Sequence, residues 1–372
     1  MKRDKRQEII IGNCLDVLKG MDDESVDVVV TSPPYWALRD YGSDPVIWGG
    51  SAECQHQWEE HVEPARGGTS ENANVGANKD GEANNRGHPT VTQYCTKCGA
   101  WKGQLGLEPS PYEYIDHLMM IFDEAKRVLK PTGACWVNIG DTYNGNKKGN
   151  TDTVKNGKVS TDTFAKQEAK GIPPKSLCQI PSRFAIAMTD RGWILRNSVI
   201  WQKPNVMPQS CKDRFTVDYE MFYFFTKSTE YYFQQQLEPV SEVSLKRAEY
   251  GWKSKKANLG PNADSGVDLD EMGTRFVNPD GRNMRTTWTI PTSGSHEEHV
   301  AMFPVALIET PIKACCPPDG VVLDPFCGSG TVLQYCFDKD IRAIGIEITP
   351  AYEEIIKRRS KSDQTKLREF MG

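Results

Sequence analysis

The chain has 372 residues, enough for one large α/β domain with an insert or a small second domain. It carries 45 Lys and Arg against 50 Asp and Glu, a formal net charge of −5, which excludes a protein that coats nucleic acid through its total positive charge. No secretory signal or membrane-spanning stretch is evident, and the 11 scattered cysteines are typical of a reducing compartment, so we expect a cytoplasmic protein without membrane contact.

Strand and helix patterns alternate along most of the chain. Residues 8–16 indicate a short strand and turn, and residues 26–30 form a β-branched run typical of a buried parallel strand. Apolar residues at helical spacing follow from residue 112 and end at a Lys-Pro-Thr-Gly turn, residues 130–133. The later strands are expected at 134–139, 194–201, 222–225, 321–324 and 343–348, and the later helices at 182–190, 304–314 and 331–337. This alternation predicts an α/β, Rossmann-like, doubly wound and mostly parallel sheet.

Two polar stretches interrupt the alternation. Residues 43–106 form an insert whose middle, residues 64–92, has almost no large apolar residue, so we predict a flexible segment there. Residues 145–175 form a lysine-rich loop, and residues 234–290 are irregular and carry several Lys and Arg. These cations could contact phosphates, although a solvated loop with balancing acids has the same composition.

A glycine-rich loop follows the strand at residues 321–324. It begins at Asp324 and Phe326 and passes through Gly328-Ser329-Gly330 into a helix that starts at Thr331. Glycines let the backbone approach a ligand at the carboxyl ends of parallel strands. Glu347, at the end of the next strand, could bind both hydroxyls of a ribose. Asp324 suits a positively charged sulfonium better than a pyrophosphate, which disfavours a dinucleotide-dependent oxidoreductase.

The first β-branched run ends in Thr31-Ser32-Pro33-Pro34-Tyr35. Two prolines keep the backbone extended and remove donors. The Ser32 hydroxyl and the Pro33 carbonyl can therefore accept hydrogen bonds from an exocyclic amine, and Tyr35 offers a face on which an extruded base can stack. A Pro-Pro pair alone is a weak signal. Paired with the glycine loop, it indicates methyl transfer to an amine.

Four cysteine and histidine residues bracket the insert. Cys54 and His56 precede the flexible stretch, and Cys95 and Cys98 follow it as Cys-x-x-Cys-Gly. Together they supply four ligands, enough for a structural, tetrahedral zinc ion. His61 and His88 are rival ligands, and reduced cysteines without a metal are the alternative.

With these motifs, the sequence resembles the β-group amino-methyltransferases of DNA, which use S-adenosylmethionine. In that family the Ser/Asp-Pro-Pro-Tyr motif precedes the cofactor loop, as it does here. Further segments that resemble family motifs are residues 13–16, 129–133, 201–205, 218–220, 225–228 and 299–304. The resemblance implies a catalytic set of Ser32, Pro33, Pro34 and Tyr35. It implies a cofactor-binding set of Asp16, His299, Asp324, Phe326, Gly328, Ser329, Gly330, Thr331 and Glu347.

The resemblance also implies a substrate and a division of the chain. The expected reaction is base flipping in duplex DNA and direct methyl transfer to N4 of cytosine, because Ser in the motif usually accompanies cytosine; N6 of adenine is the alternative. The expected partner, besides DNA, is a cognate restriction endonuclease of a bacterium, archaeon or phage. Residues 1–42 and 107–233 would form the catalytic half, 43–106 the zinc insert, 234–290 the target-recognition region and 291–372 the cofactor-binding half. An RNA- or protein-directed methyltransferase and a non-catalytic DNA-binding module are more distant alternatives.

Overall fold

The structure is a computed structural model, and it describes residues 7–38, 43–63, 90–145, 154–155, 158–159, 169, 171–209, 211–249, 278, 280–292 and 303–360. The helices are α1 Cys14–Lys19, α2 Pro111–Val128, α3 Ile180–Asp190, α4 Glu242–Glu249, α5 Val305–Cys315, α6 Thr331–Asp338 and α7 Glu353–Ser360. The strands are β1 Gln7–Ile11, β2 Val26–Thr31, β3 Val46–Trp48, β4 Trp58–Glu63, β5 Thr90–Cys95, β6 Trp101–Gly103, β7 Leu129–Ile139, β8 Val154–Lys155, β9 Lys158–Val159, β10 Ile194–Gln202, β11 Tyr219–Thr226, β12 Leu237–Glu238, β13 Arg282–Asn283, β14 Thr287–Thr289, β15 Val321–Asp324 and β16 Arg342–Glu347.

An eight-stranded sheet forms the centre of the larger unit. Its strand order is β1-β16-β15-β2-β7-β11-β10-β14. The first five strands run parallel, β11 is antiparallel to both of its neighbours, and β14 is parallel to β10. The predicted α/β fold with a mostly parallel sheet is therefore confirmed. The antiparallel pair β10–β11 was not predicted, because strand patterns in a sequence do not show direction.

Burial explains why these segments pair in the centre of the sheet. All six residues of β2 are buried, and helix α2 covers the sheet with a fully buried face that includes Leu118, Ile121 and Phe122. Phe122 meets Phe184 of α3 edge to face, with ring centroids 5.1 Å apart. A helix that packs on a sheet needs apolar residues at helical spacing, and a strand that is buried on both faces needs a continuous apolar run. The sequence shows both patterns, in α2 and in β2.

The turn expected at residues 130–133 lies inside β7 instead of before it. Strand β7 already begins at Leu129, which pairs with Val26, and the next pairing of the two strands joins Val28 to Ala134. The four residues between form an irregularity in the strand. Lys130 is fixed there by Asp27, whose two carboxylate oxygens lie 2.9 Å from its Nζ.

The insert contains a small sheet that the sequence did not predict. Strands β3, β6, β5 and β4 form it in that order, with antiparallel neighbours. Residues 64–89, most of the stretch for which flexibility is predicted, lie outside the described residues.

Phe233–Thr286 forms a second, separate compact unit, and the rest of the chain forms the first. Within the second unit, the described part contains α4 and the pair β12–β13. Glu238 accepts hydrogen bonds from Nε of Arg282 and Nε of Arg285, at 2.8 and 2.7 Å. Two of the arginines that could contact phosphates are thus already paired with a carboxylate.

Candidate active site

The Ser-Pro-Pro-Tyr loop begins where β2 ends, at the carboxyl ends of the parallel strands. Neighbouring elements fix its backbone: Tyr114 of α2 donates a hydrogen bond to the Pro34 carbonyl, at 2.7 Å, and the Ala37 amide donates to the Gly106 carbonyl, at 2.8 Å. Ser32 is half-buried. In the part of the chain that the structure describes, no hydrogen bond reaches the Pro33 carbonyl, so this acceptor is available to a substrate amine.

Tyr35 is fixed at both ends of its side chain. Its ring lies against Gly140, where a Cβ atom would come within 2.5 Å of the ring carbon Cε2. Its hydroxyl lies 2.9 Å from Asn138 Oδ1 and 2.8 Å from Glu220 Oε2. The Ser32 hydroxyl lies 3.3 Å from the Tyr35 hydroxyl oxygen. Tyr35 therefore binds residues of β7 and β11 as well as Ser32 of its own loop.

The glycine loop follows β15 on the same edge of the sheet. Gly330 has a φ of +81°, and a Cβ there would lie 2.9 Å from Cγ2 of Ile356, so close packing against α7 also requires this glycine. Glu347 binds the loop: its carboxylate accepts from the Gly328 amide at 2.9 Å and from the Thr349 amide at 2.8 Å. The side chain at the end of β16 thus orders the loop in front of it.

A buried hydrogen bond joins the two loops. Thr31, the last residue of β2, donates through Oγ1 to Asp324 Oδ1 at 2.6 Å, and both side chains are inaccessible to solvent or nearly so. Phe326 donates its amide to the same carboxylate oxygen, at 3.1 Å. The starts of the two motifs are therefore adjacent, although almost 300 residues separate them in the sequence.

The pKa values of two buried acids at the glycine loop are raised. Burial raises the pKa of Asp324 to about 7, against the effect of its hydrogen bonds with Thr31 and Phe326, and the nearby Glu347 raises it further. Burial likewise raises the pKa of Glu347 to about 7. Among the described residues, neither carboxylate forms a salt bridge. A cationic ligand would stabilise both acids in their ionised form.

The other predicted cofactor residues are placed differently. The hydroxyls of Ser329 and Thr331 both accept hydrogen bonds from the guanidinium of Arg359 on α7, so they stabilise the glycine loop against that helix. Asp16 is exposed in the first turn of α1. The Gly12 amide, just before α1, donates to the Glu347 carbonyl at 2.8 Å and brings this turn to the same edge. His299 lies outside the described residues.

Sequence reasoning missed several residues of the site, among them Thr31, Asn138, Lys203 and Glu220. A signal was present: Asn138 is a polar residue within the apolar strand β7, where an unpaired amide would be costly. Lys203 and Glu220 lie in segments that resemble family motifs, but only the structure shows that they form an ion pair next to Tyr35.

The insert brings together Cys54, His56, Cys95 and Cys98, with all four ligand atoms within 4.8 Å of one another. Sγ of Cys54 lies 3.8 Å from Sγ of Cys95, and Sγ of Cys98 lies 3.4 Å from Nδ1 of His56. Tetrahedral zinc with bonds of about 2.3 Å to sulfur and about 2.0 Å to nitrogen would separate such pairs by about 3.8 and 3.5 Å. The side chain of His61, and His88 as a whole, are outside the described part of the chain.

The pKa values of two thiols in this cluster are lowered. Against the effect of burial, hydrogen bonds from His56 and from backbone amides lower the pKa of Cys95 to about 5. Backbone hydrogen bonds from Ser51 and Ala100 also lower the pKa of Cys98. Hydrogen bonds from backbone amides stabilise the charged form of a thiol, which is the form that binds a metal.

Comparison with known proteins identifies the family. Residues 26–358 match the family of N6/N4-type DNA methylases. The chain belongs to this family. It is 32% identical to the type II methyltransferase M.Cfr9I of Citrobacter freundii, over 96% of this chain and 88% of that protein. It is 30% identical to the type II methyltransferase M.SmaI of Serratia marcescens, over 95% of this chain and 90% of that protein.

A solved structure shares the fold. The structure of the PvuII DNA methyltransferase (cytosine-N4-specific) matches with a TM-score of 0.50 and 18% identity, over 99% of this chain and 89% of that one. The resemblance to the β-group amino-methyltransferases is thereby confirmed, and the protein is a DNA amino-methyltransferase.

No helix in the described residues is long and apolar enough to cross a membrane.

Proposed function

We propose that the protein transfers a methyl group from S-adenosylmethionine to the exocyclic N4 amine of cytosine in duplex DNA. The observation that carries this proposal is the buried hydrogen bond from Thr31 to Asp324, 2.6 Å long, because it joins the start of the Ser-Pro-Pro-Tyr loop to the start of the glycine loop. A direct transfer needs donor and acceptor within a few ångströms and in line. By extension from its relatives, we take the protein to be a type II methyltransferase, with a restriction endonuclease as its expected partner.

The charge of the cofactor loop fits S-adenosylmethionine. Asp324 and Glu347 are 1% and 7% exposed, and no cation among the described residues pairs with either. S-adenosylmethionine carries a sulfonium and an ammonium group, so it would supply positive charge to this acidic environment. When bound, it supplies the electrophilic methyl group. Glu347 would hold the ribose at the end of β16, and the backbone near Gly328 would approach the nucleoside closely.

The residues of the Ser-Pro-Pro-Tyr loop would select and orient the base. An extruded base stacks on the Tyr35 ring, which Gly140 supports from behind. The Ser32 hydroxyl and the Pro33 carbonyl accept the two hydrogens of the amine and so direct its lone pair at the methyl group. The amine is itself the nucleophile, so these residues contribute by positioning and by excluding water.

Ser32 supports cytosine as the target. In the family, Ser-Pro-Pro-Tyr usually accompanies N4-cytosine methylation, and Asp-Pro-Pro-Tyr usually accompanies N6-adenine methylation. Both side chains can accept from an amine, so the base is decided by measurement.

The proposed function is tested by expressing the protein in a host that lacks N4-methylcytosine and N6-methyladenine, then digesting the DNA and analysing its nucleosides by mass spectrometry. We expect N4-methylcytosine with the wild type and none with Ser32→Ala. Ser176→Ala is a matched control, because Ser176 is half-buried outside the two loops. N6-methyladenine would overturn the choice of base, and the absence of both modified bases with a folded protein would overturn the proposal as a whole.

We further propose that Cys54, His56, Cys95 and Cys98 bind a structural zinc ion. The two interligand distances support it, since both match a tetrahedral site to about 0.2 Å. Four protein ligands leave no position for a substrate, so the ion would stabilise the insert and take no part in methyl transfer.

Elemental analysis of the purified protein tests the zinc site. We expect one zinc per chain, and a large loss of zinc in Cys95→Ser. Cys211→Ser is the control, because this half-buried thiol lies outside the cluster and hydrogen-bonds Asp213. Equal zinc content in the two variants, or no zinc in the wild type, would exclude the site.

A further inference from the structure

A carboxylate lies close to the reacting groups and has no role in the mechanism described so far. Glu220 is on β11, and its Oε2 lies 2.8 Å from the Tyr35 hydroxyl oxygen. Its other oxygen, Oε1, pairs with the ammonium of Lys203. The side chains of Glu220 and Lys203 are 18% and 16% exposed, so water screens the pair only in part. A purely structural ion pair would not require a tyrosine hydroxyl at hydrogen-bonding distance.

The hydroxyl of Tyr35 has more acceptors around it than it has hydrogens. It carries one hydrogen and faces Asn138 Oδ1 at 2.9 Å and Glu220 Oε2 at 2.8 Å. The amide nitrogen of Asn138 donates to the Met221 carbonyl, at 3.2 Å, which fixes Oδ1 as the atom that faces Tyr35. Oδ1 and an ionised carboxylate are both acceptors only. These three side chains would therefore gain a hydrogen bond if one more proton entered the group.

Methyl transfer produces such a proton. When the amine lone pair forms the new N–C bond, the electrons of the S–C bond move to sulfur, and the nitrogen must lose one proton to become a neutral methylamine. Ser32 accepts a hydrogen bond from that nitrogen in the proposed function. Ser32 Oγ lies 3.3 Å from the Tyr35 oxygen, which lies 2.8 Å from Glu220.

We propose, building on the proposed function, that Ser32, Tyr35 and Glu220 form a proton path that ends at Glu220 as the base. The amine N–H bond breaks and its electrons stay on nitrogen. Ser32 Oγ takes this proton and passes its own to Tyr35, and Tyr35 passes its hydrogen to Glu220 Oε2. Protonated Glu220 then donates to Tyr35, and Tyr35 donates to Asn138, so every acceptor has a partner. The proton leaves Glu220 to solvent after the product dissociates.

Lys203 is a positioning residue in this scheme. Its ammonium pairs with Glu220 Oε1 and also lies 4.3 Å from the centre of the Trp201 ring. The ion pair directs the other oxygen, Oε2, at Tyr35.

The decisive variant is Tyr35→Phe, which keeps the stacking ring and removes only the hydroxyl. If Tyr35 acts by stacking alone, this variant is almost as active as the wild type. If it conducts a proton, Tyr35→Phe and Glu220→Gln each lower the rate of methyl transfer by about 100-fold, the usual range for a lost proton acceptor. Single-turnover transfer of labelled methyl from S-adenosylmethionine to PCR-amplified genomic DNA, which carries no modification, measures this rate. Tyr219→Phe, on the exposed neighbour of Glu220 in β11, is the matched control.

A double variant and a rescue experiment separate the proton path from a structural effect. Because both residues serve one path, Tyr35→Phe combined with Glu220→Gln should be about as slow as the slower single variant, not about 10,000-fold slower than the wild type. Formate should restore activity to Glu220→Ala but not to Tyr35→Phe, and the affinity for S-adenosylmethionine should stay unchanged in all variants. Full activity of Tyr35→Phe, multiplicative losses, or no rescue by formate would each overturn the proton path. None of these results would affect the proposed function, which is tested separately by the modified bases that the wild-type protein produces.

Discussion

The hydrogen bond that joins the two loops can be removed by a single substitution, Thr31→Val. Valine has nearly the shape of threonine, so the change deletes the hydroxyl donor and leaves the packing of β2 intact. Thr31 is fully buried and Asp324 is 1% exposed, so water cannot replace the lost donor easily. The effect on stability should therefore come from Asp324 alone.

The magnitude depends on the ionisation of Asp324, whose pKa burial raises from its ordinary value of 3.8 to about 7. In the wild type, this raised pKa means that stability is lost as pH rises from about 4 to about 7, because ionising a buried acid is unfavourable. Thr31 opposes that loss by donating to the ionised form. A hydrogen bond to a charged group contributes about 1.5–3 kcal/mol, and one between neutral groups about 0.5–1.5 kcal/mol. We therefore expect Thr31→Val to destabilise the fold by about 1.5–3 kcal/mol at pH 8.5 and by about half as much at pH 5.5.

Equilibrium urea denaturation at these two pH values, followed by tryptophan fluorescence, measures the difference. Thr289→Val is the matched control, because Thr289 lies on β14 of the same sheet and makes an exposed hydrogen bond to Gln202, at 2.9 Å. Its effect should stay within about 0.5 kcal/mol at either pH. A loss of stability for Thr31→Val that is as small as the control, or that does not grow with pH, would refute the assigned role of this bond.

Two further predictions concern ligand binding and the base pocket. Because the pKa values of Asp324 and Glu347 are both about 7, affinity for S-adenosylmethionine should rise with pH from 5.5 to about 7 and then level off, by up to about tenfold per pH unit for each acid. Calorimetry at several pH values checks this, and an affinity that falls over this range would contradict it. Gly140→Ala should slow DNA methylation at least about tenfold without changing cofactor affinity, because the new Cβ would lie 2.5 Å from the Tyr35 ring. Wild-type activity of Gly140→Ala would show that the ring need not lie against residue 140.

Much of the sheet could be predicted from sequence because its strands have distinct local signals. The run that becomes β2 is buried on both faces, so its β-branched residues are continuous, and the end of β15 is marked by the glycine loop. The direction of β11 had no such signal. It depends on pairing with β7, which lies more than 80 residues earlier in the chain.

Some residues of the candidate site likewise have a local sequence signal, and others do not. A motif fixes the chemistry needed at Ser32 and Gly330, so the sequence alone predicts a role for each of them. Thr31, Asn138 and Glu220 could not, because a threonine, asparagine or glutamate at a strand end has many uses. Their roles depend on which distant carboxylate or hydroxyl lies within 3 Å, which is a property of the sheet order and register.

The insert lies between the Ser-Pro-Pro-Tyr loop and α2 in the sequence, and it contacts both of them in the structure. The imidazole of His117, on α2, stacks with both Trp48 and Trp101 of the insert sheet, with ring centroids 5.0 and 5.2 Å away. Its Nδ1 lies 3.0 Å from buried Glu108, which also accepts the Gly106 amide at 2.8 Å. The Gly106 carbonyl in turn accepts a backbone hydrogen bond from the end of the Ser-Pro-Pro-Tyr loop. A metal that stabilises the insert would therefore also stabilise the Ser-Pro-Pro-Tyr loop.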